Sequence, residues 1–272
     1  MQKRHSNRQQ YFQELSYTSE KYLIPFIETL YPVKPQCRVL EIGCGEGGNL
    51  EPFVKRGCCV TGIDLSEMRI KEARTFFESY PRQQADFIAA DIFTMKDRDA
   101  SYDLIVVHDV IEHIPSQKPF LKLIGKLLKP GGIVFMGFPA WQMPFGGHQQ
   151  ICHNKLLAHL PYFHLLPQAM YKSLLKWGKE PENGIQELLS IKACGISIEK
   201  FRAYTRETGL TIQKEEFYFI NPHYEIKFGL KPRKLFPAIG KIPGFRNFFT
   251  TSCFYLLQKK TNESPEGRVQ ED

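Results

Sequence analysis

Short apolar runs alternate with amphipathic stretches through the first half of the chain. Five runs have the character of buried strands, namely Arg38–Ile42, Val60–Ile63, Phe87–Ala90, Tyr102–Val107 and Ile133–Phe138. Helical periodicity lies between them, over Leu50–Arg56, after Ser66, which can cap a helix, and around Phe120–Leu128. Strands that alternate with helices predict right-handed β-α-β units and a parallel, doubly wound α/β sheet.

The regions on either side of this core, residues 38–139, follow other patterns. Residues 8–30 carry an irregular apolar stripe that Pro32 ends, so we expect an N-terminal helical cap over residues 1–37. Residues 140–196 are rich in apolar and aromatic positions but form no β-α unit. We expect a helical insertion there that closes as a lid over a bound small molecule, with packing as extra core or a dimer face as the plainer alternative.

The core pattern resumes over residues 197–260. A helix over Ser197–Thr208 is followed by a strand over Leu210–Ile220, and a last strand-like run covers Cys253–Gln258. Between these strands lies a basic insertion, residues 221–250, with six Lys or Arg against the single acid Glu225. We expect it to close the other side of the small-molecule pocket. The polar tail 261–272 is predicted to be disordered.

Composition and charge indicate the cellular compartment of the protein and the kinds of partner it could bind. Of its 272 residues 42% are hydrophobic, and no apolar run approaches the roughly 18 residues that span a bilayer. The start of the chain lacks the apolar stretch of a signal peptide, and seven cysteines without a C-x-x-C pair indicate reduced thiols. We therefore expect a cytoplasmic protein. Its basic insertion suits an anionic substrate, a peripheral membrane contact, nucleic acid or simply a solvated face.

The first predicted strand ends in a glycine loop, Gly43-Cys44-Gly45-Glu46-Gly47-Gly48. Glycines let the chain turn sharply and let a ligand approach the backbone at the carboxyl edge of the sheet. Asp64 ends the second strand, where its carboxylate can bind two ribose hydroxyls. Because the loop also satisfies the short dinucleotide pattern G-x-G-x-x-G, it leaves an NAD-dependent oxidoreductase open.

Further residues in fixed order change that picture. Glu41 precedes the loop, Asp91-Ile92 follows the third strand, His108-Asp109-Val110-Ile111-Glu112-His113 follows the fourth, and Lys129-Pro130-Gly131-Gly132 precedes the fifth. In this order the chain resembles the class I S-adenosylmethionine-dependent methyltransferase superfamily, in particular its small-molecule branch with the ubiquinone and menaquinone methyltransferases. The resemblance covers residues 38–138 well and the rest only in strand order. It implies a Rossmann-like sheet of seven strands whose last strand is antiparallel.

The resemblance also implies S-adenosylmethionine as the cofactor. The glycine loop would hold its methionine end beside Glu41, Asp64 its ribose, and the adenine would lie between Leu65 and Met68 with Asp91 and Ile92 at its edge. The full set of implied cofactor-binding residues is Tyr17, Glu41, Gly43, Cys44, Gly45, Asp64, Leu65, Met68, Asp91, Ile92 and His108. For Asp64 and Asp91 the structural alternative is the capping of a following helix.

The acceptor is expected above the carboxyl ends of the fourth and fifth strands. The apolar loop 139–147 leads to His148, our first candidate for a general base, with His113 as the second and a structural imidazole as the plainer interpretation. Asp109, Glu112 and His113 lie where some ubiquinone-type O-methyltransferases place metal ligands. However, relatives that use no metal share the Glu-His pair. We therefore assign no metal, and the histidines from His148 to His164 lack a zinc spacing.

These features predict a methyltransferase of a small acceptor, with O-methylation of an apolar or aromatic molecule as the best fit. A sugar or lipid-linked intermediate is the nearest alternative, because the basic insertion could bind a phosphate. An NAD-dependent oxidoreductase would need a downstream proton-transfer pair, and none is credibly placed. A nucleic-acid methyltransferase is not expected, because the fourth strand lacks an N/D-P-P-Y/F motif. The presence of all the implied cofactor-binding residues argues against a binding protein that has lost its catalytic activity.

Overall fold

The computed structural model describes residues 7–95 and 98–259. Its strands are β1 Arg38–Ile42, β2 Cys59–Asp64, β3 Ala85–Ala89, β4 Tyr102–His108, β5 Leu128–Phe138, β6 Leu210–Ile220, β7 Arg233–Lys234 and β8 Ser252–Lys259. Its α-helices are α1 Arg8–Thr18, α2 Ile24–Glu28, α3 Glu51–Lys55, α4 Glu67–Phe76, α5 Gln117–Leu127, α6 Lys155–His159, α7 Gln168–Trp177, α8 Glu182–Cys194, α9 Ile198–Glu207, α10 Tyr224–Phe228 and α11 Pro237–Gly240. The tail predicted to be disordered lies outside the described residues.

All eight strands form one mixed sheet in the order β3-β2-β1-β4-β5-β8-β6-β7. Strands β1 to β5 pair in parallel, and β8 runs antiparallel to both of its neighbours, β5 and β6. The predicted Rossmann-like α/β sheet with an antiparallel last strand is thereby confirmed. An eighth strand, β7, adds two residues at the edge beside β6. Such a short strand has no alternation that a sequence pattern could reveal.

Helices cover both faces of the sheet, because successive strand residues point to opposite sides. Val106 and its neighbours on one face pack against residues of α1 to α4, among them Phe12 and Phe53. Val107 and its neighbours on the other face pack against α5 and α9, for example on Phe120 and Phe201. With both faces covered, the parallel strands are mostly apolar, and their carboxyl ends and loops are the parts free to bind ligands.

The N-terminal helix lies directly against the glycine loop. It runs from α1 through a π-helical turn, Ser19–Leu23, into α2, which matches the helix predicted over residues 8–30. A Cβ on Gly48 would come within 2.6 Å of the Phe12 carbonyl oxygen, so this glycine is what permits the close approach. The Ser19 hydroxyl donates to the Asn49 carbonyl at 2.8 Å and fixes the helix there.

Residues 140–196 contain α6, α7 and α8, which share a small apolar core that includes Leu157, Tyr171 and Leu188. The Gln117 amide joins this helical group to the sheet by donating to the carbonyl oxygens of Ile111 and Cys194 at 3.0 and 2.6 Å. Within residues 7–95 and 98–259, no helix combines the length and the apolar character that a membrane crossing requires.

Candidate active site

The glycine loop is held by backbone hydrogen bonds to β2. The amides of Gly43 and Cys44 both donate to the Ile63 carbonyl, at 2.7 and 3.0 Å. Gly43 has a φ of +72°, and a Cβ there would meet Val110 Cγ2 at 2.4 Å. Glycine is therefore required both for the backbone conformation and for the contact with the loop that follows β4.

Asp64 links the loop to the end of β2. Its Oδ2 accepts from the Gly45 amide at 2.9 Å and its Oδ1 from the Ser66 amide at 2.8 Å. The cap of α4 is instead Ser66, whose hydroxyl accepts from the Arg69 amide as the sequence predicted. Two backbone donors orient the carboxylate, while each oxygen keeps a lone pair for a further donor such as a ribose hydroxyl.

The predicted adenine region combines exposed apolar groups with a structural turn. Leu65 and Met68 are 76% and 58% exposed, so two large apolar side chains beside Asp64 are available to a flat ligand. Asp91 Oδ1 accepts from the Phe93 amide at 2.9 Å and starts the 3-10 turn Ile92–Thr94. The capping alternative thus applies to one oxygen of Asp91, while Ile92 is buried beneath the turn.

Glu41 is buried at the end of β1 and only partly satisfied. The Asn49 side-chain amide donates to its Oε1 at 2.8 Å, whereas Oε2 has no hydrogen-bond partner in the described parts of the chain. Burial, together with the nearby charge of Asp64, raises the pKa of Glu41 to about 8. A buried carboxyl with an unused oxygen beside a glycine loop is suited to a cationic ligand group.

Cys44 and His108 were expected to bind the cofactor, but their side chains pack inside the protein. Cys44 is buried with its sulfur close to Gly62, so only its backbone faces the loop, and burial raises the pKa of its thiol well above the usual value. His108 lies at the end of β4, and its ring packs against Phe135 and Phe254 at centroid distances of 6.0 and 6.1 Å. Its Nε2 has no partner in residues 7–95 and 98–259. The structure therefore gives His108 a packing role.

Tyr17 does not join the glycine loop. Its half-exposed ring lies on another face of α1, where the hydroxyl donates to Glu225 at 3.0 Å and accepts from Lys21 at 2.7 Å. Tyr11 occupies the site instead. Burial, followed by the charges of Asp109 and Glu46, raises the pKa of Tyr11 to about 12. Tyr17 thus lies away from the glycine loop, whereas Tyr11 lies beside it.

The side on which the acceptor is expected begins at Asp109, directly after β4. Asp109 has a φ of +55° and its amide donates to the Gly137 carbonyl of β5 at 2.9 Å. His148, after β5, shares the left-handed conformation with a φ of +55°. Its ring lies edge-on to the ring of His113, with 4.8 Å between their centroids. The structure thus brings both predicted base candidates together, and non-glycine residues held in this conformation are frequent at functional sites.

Burial controls the charges of this pair and its neighbour Glu112. It lowers the pKa of His148 to about 4, with the facing His113 adding to the effect and the charge of Asp109 opposing it. It also lowers the pKa of His113. Burial and the Asp109 charge raise the pKa of Glu112 well above the usual range. At neutral pH both imidazoles are therefore uncharged.

Glu112, His113 and His148 also offer ligand atoms that all lie within 4.8 Å of one another. Both carboxyl oxygens of Glu112 are buried and have no partner in the part of the chain that the structure describes. Two neutral imidazoles and one carboxyl group are a donor set that divalent transition metals accept. The residues therefore fit a small divalent cation, although we expected none from the sequence.

The start of the basic insertion packs against α1 beside the site. His223 Nδ1 lies 2.9 Å from the Thr18 hydroxyl, and its ring meets Tyr11 edge-on with 6.5 Å between centroids. Burial and the charge of Asp109 raise the pKa of Tyr224. Neither residue was a predicted site residue, because a five-residue helix in an irregular segment leaves no periodic signal.

Comparison with known proteins identifies a domain within the chain. Residues 40–136 match the family model described as a methyltransferase domain. The ubiquinone biosynthesis O-methyltransferase of Idiomarina loihiensis is 39% identical over 99 residues, 36% of this chain and 40% of the relative. That of Bartonella bacilliformis is 26% identical over 144 residues, 50% of this chain and 58% of the relative. The chain thus covers only about half the length of these curated relatives.

Solved structures extend the likeness to most of the chain at the level of the fold. A putative sarcosine dimethylglycine methyltransferase from Galdieria sulphuraria has a TM-score of 0.58 at 16% identity, over 89% of this chain and 84% of that one. The geranyl diphosphate C-methyltransferase of Streptomyces coelicolor has a TM-score of 0.57 at 12% identity, over 88% and 79%. The oxidoreductase that the short glycine pattern left open is not the family found. Residues 40–136 thus form a methyltransferase domain, and most of the chain shares the fold of known methyltransferases.

Proposed function

We propose that this protein transfers the methyl group of S-adenosylmethionine to a hydroxyl oxygen of a small apolar or aromatic acceptor. The contact of Val110 with Gly43 carries this proposal, because it sets the loop of Asp109 and His113 directly against the glycine loop. A donor held by one loop and an acceptor held by the other would meet there. Such positioning can supply several kcal/mol of catalysis, up to about 7–11 kcal/mol in favourable cases.

On the donor side, when bound, S-adenosylmethionine supplies a methyl carbon activated by a sulfonium. The backbone of Gly43 to Gly45 would hold its methionine end, and Glu41 would accept from its ammonium group. Asp64 would accept from the ribose hydroxyls, with Leu65 and Met68 against the adenine and Asp91 and Ile92 at its edge. The oriented Asp64 carboxylate and the unused Glu41 oxygen support this arrangement.

Calorimetric titration tests the donor side. Asp64→Ala should weaken the binding of S-adenosylmethionine by about 1–3 kcal/mol, because it removes hydrogen bonds to a charged group. Asp86→Ala, on the neighbouring strand β3, is the matched control and should leave the affinity unchanged. Unchanged affinity in Asp64→Ala, or binding of NAD by the wild-type protein, would contradict the assignment.

On the acceptor side, we assign His148 as the general base and His113 as the second candidate. A pKa of about 4 leaves the His148 imidazole neutral at pH 7 and able to accept the hydroxyl proton. The Asp109 carboxylate favours the imidazolium that then forms, since its charge raises the pKa of both histidines. Tyr11 and Tyr224 would enclose the acceptor and exclude water. Their apolar rings favour an aromatic or hydrophobic acceptor over a sugar.

Turnover measurements separate the two histidines. His148→Ala should lower kcat by about 10²–10⁴-fold, the usual contribution of general acid–base catalysis, with little change in cofactor affinity. His113→Ala should have a smaller effect, and His159→Ala, at the end of α6, serves as the histidine control. Full activity of His148→Ala would remove it from this role.

Adding a chelator tests whether His148 acts as a general base or whether Glu112, His113 and His148 bind a metal ion. If His148 acts as a base, EDTA leaves the wild-type rate unchanged. Loss of activity in EDTA with recovery on adding a divalent ion would instead give Glu112, His113 and His148 a ligating role. In that case the ion would orient or polarise the acceptor oxygen.

The acceptor screen should include apolar phenols and, as the nearest alternative, phosphorylated sugar or lipid-linked intermediates. The exposed cations of the basic insertion favour including the second group. We place the protein in the cytoplasm, because its seven cysteines are all free thiols and suit a reducing compartment.

A further inference from the structure

The segment from Ile226 to Phe245 leaves an unusual amount of apolar surface open to solvent. Leu235 is the only buried residue within it. Six large apolar side chains in the segment are exposed, namely Ile226, Phe228, Leu230, Phe236, Ile242 and Phe245, and Phe236 is 67% exposed. Isolated exposed apolar residues are ordinary on soluble proteins, but a dense group of them marks an interaction surface.

The same segment carries positive charge that the protein does not neutralise. Lys231, Arg233 and Lys241 are exposed and have no ion-pair partner in residues 7–95 and 98–259. Lys234 pairs with Glu216 at 2.7 Å. There is no acidic residue between Ile226 and Phe245. Apolar and cationic groups are therefore interleaved on one exposed segment without acidic residues.

This segment begins at the candidate active site. The charge of Asp109 contributes to the raised pKa of Tyr224. The ring of Tyr224 contacts the exposed ring of Phe228, with 5.2 Å between centroids. Just beyond the other end, Phe248 meets Tyr162 of the helical insertion with 6.2 Å between centroids. Both of these rings are also exposed. The segment thus has an exposed ring beside Tyr224 at one end and lies close to the insertion that follows β5 at the other.

We propose that residues 226–245 dock the protein on the surface of an anionic phospholipid bilayer. Exposed phenylalanine, leucine and isoleucine side chains would enter the region between headgroups and acyl chains, while Lys231, Arg233 and Lys241 would meet the phosphates. Nucleic acid is a poorer match because Leu230, Ile226 and Ile242 cannot stack on bases. A second copy of this chain is a poorer match because the patch is cationic and would meet itself across a twofold axis.

Such docking would bring the pocket wall formed by Tyr224 close to the lipid. An apolar acceptor dissolved in the bilayer could then reach the site without crossing water. This surface does not depend on methyl transfer, so its test needs neither cofactor nor acceptor.

Vesicle co-sedimentation of the full chain tests the proposal directly. The protein should pellet with vesicles of equal phosphatidylglycerol and phosphatidylcholine but remain in solution with pure phosphatidylcholine. Raising the salt concentration should release it, because screening weakens contacts between cations and phosphates.

Two variants separate the charges from the apolar groups. K231E/R233E/K241E should lower partition onto anionic vesicles at least about tenfold, given the contribution expected of each basic residue at a membrane surface. F228S/F236S/F245S should lower it even at low salt. The control K122E/K126E/R206E changes the net charge by the same amount at exposed positions on α5 and α9 and should bind like the wild type.

A fluorescent reporter locates the contact. In F236W the emission of the introduced indole should shift to the blue on anionic vesicles and be quenched by brominated lipids. An indole that stays in water while the protein pellets would overturn the proposal. So would a failure to bind anionic vesicles, or self-association without vesicles that F228S/F236S/F245S abolishes. Equal loss of binding in the control variant would reduce the effect to net charge and would also overturn it.

Discussion

Two loops meet at Val110, and they are held in place by different kinds of interaction. The glycine loop after β1 is fixed by backbone hydrogen bonds to β2 and by the carboxylate of Asp64. The loops after β4 and β5 place Asp109 and His148 in left-handed conformations beneath side chains from α1 and the basic insertion. The donor side therefore depends on the sheet, whereas the acceptor side depends on segments packed around it.

The two sides also differ in charge. Burial holds Glu41 protonated at neutral pH on the donor side, where a cationic ligand would favour its ionised form. On the acceptor side, burial keeps the His113 and His148 imidazoles neutral. A change of pH near 8 should thus affect donor binding, and a change near 4 should affect the charge of His148. The donor and acceptor sides can be perturbed separately.

Gly43→Ala should give the largest effect, on the donor side. The new Cβ would meet Val110 and would also require a positive φ, so we expect a loss of about 2–5 kcal/mol in the free energy of unfolding. Gly131→Ala is the control, because its φ is +75° but nothing lies within 4 Å of the new Cβ. It should lose only about 1–2 kcal/mol, the conformational part alone. Chemical denaturation measures both.

The double variant Gly43→Ala with Val110→Ala separates crowding from conformation. Removing the Val110 methyl groups should recover part of the loss, with a coupling free energy of about 0.5–3 kcal/mol in a double-mutant cycle. Strict additivity of the two substitutions would show that the two loops do not press on each other there. The acceptor side would then need another explanation for its position.

Glu41→Gln should give the next largest effect and should alter a pH dependence. Because the pKa of Glu41 is about 8 in the free protein, a cation that favours the carboxylate binds more tightly as the pH rises from 6 to 8. The gain approaches about tenfold per pH unit well below the pKa and vanishes above it. Glu41→Gln should remove this slope and weaken S-adenosylmethionine by about 1.5–3 kcal/mol at pH 8.

The free energy of unfolding provides an independent measurement of the raised pKa of Glu41. The unfolded chain loses the Glu41 proton near the ordinary pKa of 4.5, before the folded protein does at about 8. Wild-type stability should therefore fall relative to Glu41→Gln as the pH rises through that interval. Glu78→Gln, at an exposed carboxylate two residues after α4, should leave both curves as they are in the wild type. A pH-independent affinity of the wild type would mean that no cation binds at Glu41.

Much of the donor side could be predicted from the sequence because its residues follow the strands that orient them. Buried strands have clear apolar runs, and Gly43, Asp64 and Asp91 each stand at the end of one. Ser66 was predicted as a cap for the same reason, since a serine before an amphipathic stretch has one common role. Position along the chain then nearly fixes position in space.

The acceptor side was predicted less completely because its geometry depends on packing. Nothing in the sequence distinguishes His148 in a left-handed conformation from an ordinary loop histidine. Tyr224 enters the site only because α10 packs against α1. The pair His113 and His148 was foreseen as candidates, but not their edge-on contact. Residues 35 positions apart meet only once the whole sheet has formed.

The different surroundings of Tyr17 and Tyr11 show the same limit on one helix. Six residues correspond to a rotation of about 240° around a helix axis, so the two rings face different directions. The apolar stripe of residues 8–30 is too irregular to predict which face of the helix covers the glycine loop. The contact of Phe12 with Gly48 decides it and turns Tyr11 inward.

A matched pair of variants sharpens this last comparison, with the smallest expected effect. Tyr11→Phe removes a hydroxyl from the site and should lower kcat/KM by about 2–10-fold, in line with one hydrogen bond of about 0.5–1.5 kcal/mol. Tyr17→Phe removes a hydroxyl from the partly exposed group with Lys21 and Glu225, where Tyr22 still donates to the same carboxylate at 2.5 Å. It should change kcat/KM less than twofold. The reverse order of effects would give Tyr17 the place that we assign to Tyr11 and would mean that α1 presents another face to the glycine loop when substrates bind.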